Sequence, residues 1–162
     1  DVYKRQPPAA SLIKKFAKIN SGSKKGAHEI VATLSKNDVK AIAEIKLPDT
    51  LKIIGNYAFE NCSKLKSVYI PKSVNYIGNN IFHGCSVLEH IEVDNDNTVY
   101  DSRKSCNAII ETSRDKMIAA CTNTLITDDV VDIANGIFAG FSVFTDTYNK
   151  ANQINPDSFK YY

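Results

Sequence analysis

Between Ile45 and His90 the apolar positions recur on a fixed spacing. Ile45 to Ser67 reads IKLPDTLKIIGNYAFENCSKLKS and Val68 to His90 reads VYIPKSVNYIGNNIFHGCSVLEH, and the two align without a gap at a period of 23. Leu47 falls on Ile70, Pro48 on Pro71, Leu51 on Val74, Ile54 on Ile77, Gly55 on Gly78, Phe59 on Phe82, Cys62 on Cys85 and Leu65 on Leu88. A period in the twenties with apolar residues at fixed offsets marks a solenoid, in which each coil buries its face against its neighbours. A third register starts at Ile91 and Val93 and is interrupted. It returns at Val130, where Val130, Ile133, Phe138 and Gly140 match Val74, Ile77, Phe82 and Gly84 at an offset of 56, one period plus an excursion of 33.

Each coil resolves into short elements. Val68-Tyr69-Ile70 alternates inward, outward, inward, which predicts a half-buried strand. Pro71 ends it, because proline has no N–H for the next coil's ladder. Val74 to Ile77 predicts a second extended piece, closed by Gly78 at a sharp corner. Asn79 to Cys85 predicts a turn that drops Phe82 and Cys85 inward. The predicted core ladder is Ile54, Phe59, Cys62 and Leu65 in the first coil, Ile77, Phe82, Cys85 and Leu88 in the second, and Ile133 and Phe138 after the excursion.

These residues resemble a known family. The pattern LPxxLxxIGxxAFxxCxxLxxV, repeated every 23 residues, is similar to the BspA-like leucine-rich repeats of bacterial surface antigens, the type found in Bacteroides and Treponema relatives. The resemblance covers roughly residues 45–141 and implies an α/β fold: a right-handed leucine-rich-repeat solenoid with short parallel strands on one face. It implies a secreted or surface-anchored protein, many of whose relatives act in adhesion. Ala134, Phe141 and Thr127 stand where the pattern has Gly, Cys and Pro, so the last repeat reads as degenerate.

The flanking segments read as caps, which solenoid ends need. Leu12, Ile13, Phe16 and Ile19 form one apolar helical face with Lys14, Lys15 and Lys18 opposite, which suits a capping helix better than a membrane-surface helix. His28 to Leu34 predicts a strand, and Asn37 or Asp38 N-caps a second helix through Ala43. This helix-strand-helix order resembles the N-terminal cap of family members. The tail from Thr145 loses the repeat. Asp1 to Gln6 can be back-translated as a transposon-library adapter, so these six residues are expected to be a scar on a metagenomic fragment, outside the fold. The expected organisation is therefore a scar over 1–6, a cap over 7–44, repeats over 45–144 (45–67, 68–90, an irregular 91–126 and a degenerate 127–144), and a divergent tail over 145–162.

The excursion carries a hairpin signature. Cys106 to Thr112 and Asp115 to Cys121 can pair around Ser113-Arg114, which places Ile109 opposite Ile118, Glu111 opposite Lys116 and Cys106 opposite Cys121. A projecting recognition hairpin and an irregular repeat that continues the stack both fit. Family members have a similar YxSxxxCNAII stretch, matched by Tyr100, Ser102 and Cys106 to Ile110, which favours the continuing stack.

Composition narrows the function. The 162 residues are 43% hydrophobic and 23% charged, enough for a core. The apolar runs fall far short of the roughly 18 to 20 residues of a membrane span. A net charge of +2 does not suggest a nucleic-acid partner. The charge is uneven: residues 1–90 hold 14 Lys and Arg against 7 Asp and Glu, and residues 91–162 hold 6 against 11.

Chemistry is sparse. Cys62 and Cys85 sit at a repeat position suited to buried thiols, and Cys106 with Cys121 is the candidate disulfide. Cys85 with His83 or His90 lacks zinc-site spacing, and no motif places a histidine beside Cys106 as a nucleophile's base. No phosphate loop and no GxSxG elbow occur, so no enzyme activity and no cofactor are expected. What remains is the outward row of the strands. Lys46, Ser67, Tyr69, His90 and Glu92 form the candidate binding face, with Tyr69 as its aromatic, for a protein ligand on a host, matrix or bacterial surface. The alternative is a structural spacer that presents another domain and has no ligand of its own.

Overall fold

The computed structural model describes residues 44–162. The predicted scar, the apolar face of Leu12 to Ile19, the strand over His28 to Leu34 and the helix capped by Asn37 or Asp38 lie outside the described residues.

The 23-residue period becomes strand register directly. Strands β1 (Glu44–Lys46), β3 (Ser67–Ile70) and β5 (His90–Val93) form a parallel sheet in which Glu44 pairs with Ser67 and Ser67 with His90. Lys46, Tyr69 and Glu92 align in the same way. β2 (Ile53–Ile54) and β4 (Tyr76–Ile77) form a second parallel ladder, Ile53 on Tyr76 and Ile54 on Ile77. Each coil then turns, and the turns bond too. The N–H groups of Tyr57, Phe59 and Asn61 donate to the carbonyls of Asn79, Ile81 and His83. The corner at Gly78 is tight: a Cβ there would stand 2.6 Å from the Asn56 backbone nitrogen and 2.9 Å from the Gly55 carbonyl carbon.

Inward positions of both strand rows and of the turn are buried. Ile54, Phe59, Cys62, Leu65, Phe82, Cys85 and Leu88 lie in one core, with Phe59 and Phe82 stacked at 5.7 Å between ring centroids.

The excursion is a layer inside the stack. β6 (Tyr100–Asp101) pairs antiparallel with β7 (Ile109–Glu111), β7 pairs antiparallel with β8 (Lys116–Ala119), and β8 pairs parallel with β9 (Asp132–Ile133). Both faces of this hairpin are covered. Ile109, Ala119 and Cys121 pack into the core of the first two coils, whereas Ile110, Met117, Ala120 and Cys106 pack into a second core with Ile133 and Phe138.

Two sequence expectations change here. Glu111 does face Lys116, but the register shifts between Ile109 and Ile110, so Ile109 faces Ala119 rather than Ile118. A bulge places two residues of one strand against one of its partner, and neither sequence carries a sign of it. The Cys106–Cys121 bond is also absent, and all four cysteines are free buried thiols. The two thiols belong to different cores on opposite sides of the hairpin. The Cys106 thiol points to the Ala108 carbonyl and the Cys121 thiol to that of Asn107.

After β9 the coil ends at Phe138, and helix α1 (Thr145–Ile154) takes the place of the next strand. Ala151 and Thr147 are buried on that coil, with the Thr147 hydroxyl donating to the Thr124 carbonyl at 2.6 Å. A 3-10 turn over Pro156–Phe159 then restores the ladder: Gly136 and Phe138 donate to the carbonyls of Asp157 and Ser158, and Phe159 stacks on Phe138 at 5.1 Å. The tail, which has no repeat legible in its sequence, thus repeats the turn contacts of the coils before it.

Candidate interaction surface

Alternation along β3 and β5 sends Val68, Ile70, Ile91 and Val93 into the core and leaves the intervening side chains outward. On the outward side Ser67 therefore stands beside His90 and Tyr69 beside Glu92, about 4.8 Å per step, with Glu44 and Lys46 in backbone register with Ser67 and Tyr69. Tyr69 is 42% exposed. Partial burial and a hydrogen bond to Asp94 raise its phenol above the usual tyrosine range. Asp94 is held below the usual carboxylate range by the Asp96 N–H and the Tyr69 phenol, with Lys72 adding to both. His90 is exposed, with Nδ1 2.9 Å from Asn107 Oδ1 and Nε2 3.6 Å from a Glu92 oxygen. The row is thus polar, mixed in charge and centred on one tyrosine braced at its hydroxyl.

Beside the outer edge of β5 lies a cavity of about 440 Å³ bounded by Glu92, Asp94, Asp101, Arg103 and Lys104. The side chain of Ser102 accepts the Val93 N–H at 2.9 Å where a fourth strand of this sheet would have done so. Arg103 ties the wall together, bonding Asp101 through two nitrogens at 2.8 Å and Asp115 at 2.6 Å.

A larger groove of about 810 Å³ opens on the other side of the coils, along the β2–β4 ladder. Its walls include Asn75, Tyr76 and Asn79 from the second coil and Asp132 and Asn135 from the fourth, over Glu111 and Lys116 of the hairpin. Of these only Glu111 and Lys116 stood out in the sequence, as a cross-strand pair. The groove's own signal is the asparagine at each corner, Asn56, Asn79 and Asn135, spaced by the same 23 and 56 that relate the core positions.

The Cys85 thiol is raised by its hydrogen bond with Cys62 and by burial, and burial pushes Cys106 up to about 11. A buried thiol raised in this way is a poor nucleophile. Among the described residues no three His, Cys, Asp or Glu side chains are grouped as metal ligands, and no helix is long and apolar enough to cross a membrane.

Comparison with known proteins matches two families to different parts of the chain. A family model for the BspA type leucine rich repeat region matches residues 36–162. A second, for the RNA binding domain of ribosomal protein L11, matches residues 5–62. Among curated proteins, the large ribosomal subunit protein uL11B of Halalkalibacterium halodurans is 41% identical over 49 residues, 30% of this chain and 35% of that protein. The uL11 of Mycoplasma capricolum is likewise 41% identical over 49 residues, 30% of this chain and 34% of that protein. The chain therefore spans about a third of these curated relatives. Among solved structures, a leucine-rich repeat protein from Eubacterium ventriosum shares the fold with a TM-score of 0.52 at 23% identity, over 65% of this chain and 30% of that one. A leucine rich repeat protein of T. pallidum gives 0.48 at 19%, over 73% of this chain and 51% of that one.

Proposed function

Because the chain belongs to the BspA-type leucine-rich repeat family, we propose that it is a protein-interaction module of a bacterial surface or secreted protein. Its coils wind right-handed, and its ligand is a protein on a host, matrix or bacterial surface that docks on Lys46, Ser67, Tyr69, His90 and Glu92. The supporting observation is the strand register, which puts Tyr69 in the middle of that row between Lys46 and Glu92. A tyrosine held at its hydroxyl gives a large contact area with little rotamer entropy left to lose, the character of a binding hot spot. The test is surface plasmon resonance of the full chain over a panel of immobilised extracellular-matrix proteins. Tyr69→Ala is expected to weaken binding about tenfold or more. Failure of every matrix protein to bind, or binding indifferent to Tyr69→Ala, favours the alternative of a spacer that presents another domain.

A second reading concerns the N-terminal segment alone. The uL11 likeness supports RNA contact by residues before the first coil, at odds with the weak net charge but in keeping with the basic excess of residues 1–90. Filter binding of the full chain to large-subunit ribosomal RNA tests it. Retention that falls steeply with salt supports the reading, and no retention at low salt removes it.

A further inference from the structure

The groove along the β2–β4 ladder exists because one rung of the corner ladder is missing. The Asn79 N–H donates to Asn56 Oδ1 at 2.8 Å, locking the second corner onto the first. Asn135 Oδ1 accepts from Asn155 Nδ2 at 2.8 Å, locking the fourth onto the tail. Between Asn79 and Asn135 the third coil supplies no corner, since the hairpin β7–β8 stands there instead. Tyr100 seals the floor, its hydroxyl accepting the Ile77 N–H at 2.8 Å. The result is an open slot in the size range of ligand pockets.

Its chemistry selects a ligand. The charged side chains in it pair among themselves, Lys116 with Asp132 at 3.2 Å and Arg114 with Glu111 at 3.5 Å, so the slot carries no net charge. Asn75 and Asn79 are exposed in its wall, each amide both a donor and an acceptor. Asn80 adds a buried Oδ1 with no hydrogen-bond partner among the described residues. Tyr76, 37% exposed, offers an aromatic face beside these amides. Neutral walls, two-way amides and an aromatic face suit a ligand that is uncharged, rich in hydroxyls that both give and accept, and edged with C–H faces.

We propose that this groove binds a neutral oligosaccharide, with a sugar ring on Tyr76 and its hydroxyls on Asn75 and Asn79. The site is separate from the strand row of Tyr69 and does not depend on the reading of that row. The full chain is titrated calorimetrically with cellohexaose, maltohexaose, chitohexaose and mannohexaose, with circular dichroism confirming that each variant is folded. At least one glycan is expected to bind, with little dependence on salt, and with affinity about tenfold lower in Tyr76→Ala and in Asn75→Ala. Tyr69→Ala is expected to leave it unchanged, so a failure of the protein-ligand reading does not touch this one. The proposal is overturned if none of the four glycans binds, if binding survives Tyr76→Ala, if salt abolishes it, or if Tyr69→Ala removes it.

Discussion

Truncating Phe82 tests the stacking of the coils most directly. The ring is 3% exposed and lies on Phe59 at 5.7 Å between centroids with 19° between planes. On the hairpin side stand Ile118, Ala119 and Ala120, across a residual space of only about 10 Å³. Burial of the ring by area contributes about 1.5 to 3 kcal/mol. Phe82→Ala also leaves a cavity between two bonded turns that cannot close without breaking the Phe59 N–H to Ile81 carbonyl bond of 2.9 Å. The expected cost is therefore about 3 to 5 kcal/mol. For a chain of this length that lowers the melting temperature by roughly 6 to 20 °C. The chain has no tryptophan, so urea unfolding is followed by tyrosine fluorescence together with circular dichroism. The midpoint should fall with the slope unchanged, as for a pure loss of native stability. Phe82→Leu keeps most of the volume and should cost much less. A loss below about 1 kcal/mol in Phe82→Ala would refute the reasoning, because that is the cost of an unpacked surface ring.

Two further expectations rest on polar groups. Tyr100→Phe strips the buried Ile77 N–H of its acceptor and should cost about 1 to 3 kcal/mol in urea unfolding, whereas a change within error would mean that water replaces the phenol. Asp101 is raised by burial but lowered more by hydrogen bonds from Arg103 and Thr112, so its folded-state pKa lies below the ordinary value of about 3.9. Its contribution is complete above that ordinary value and is lost as pH falls through the lower folded one; Asp101→Asn should flatten the loss of melting temperature below about pH 4, and an unaltered acid slope counts against the pairing.

The repeat period was legible because one residue type recurs at one offset and a parallel ladder repeats whatever the sequence repeats. Matching Val68 to Ile91 or Ile54 to Ile77 in sequence is the same act as pairing them in register. Asymmetric features were not legible. The bulge leaves Ile118 unpaired and sets both it and Ala119 against the first core, and nothing in Ile-Ala shows which of them Ile109 will face. Cys106 and Cys121 looked paired because a regular count sets them opposite each other on one face, whereas the extra residue at the bulge slips the register by one and turns them to opposite cores. The return of the ladder at Phe159 was hidden because helix α1 replaces the strand that would have signalled it. The outward row was readable from alternation, but the groove was not. It arises from a corner the third coil lacks, and its one mark in the sequence is the offset of 56 from Asn79 to Asn135 where 23 would continue the row.

The overlap of the two family matches over residues 36–62 has a physical resolution. Residues 51–62 satisfy the repeat in full: Leu51, Ile54, Ala58, Phe59 and Cys62 are buried, and the N–H groups of Tyr57, Phe59 and Asn61 are spent on the second coil. No other fold can use these residues without opening that coil, because β2 and its turn supply the only described surface on which the second coil's Ile77 and Phe82 stack from that side. The RNA contact proposed above therefore rests on residues before the first coil. On that reading RNA contact and the coil stack use consecutive stretches of chain, the 23-residue period beginning at Ile45. Phe82→Ala should accordingly weaken the stack without altering RNA retention. A joint loss of both would show that the two segments fold as one.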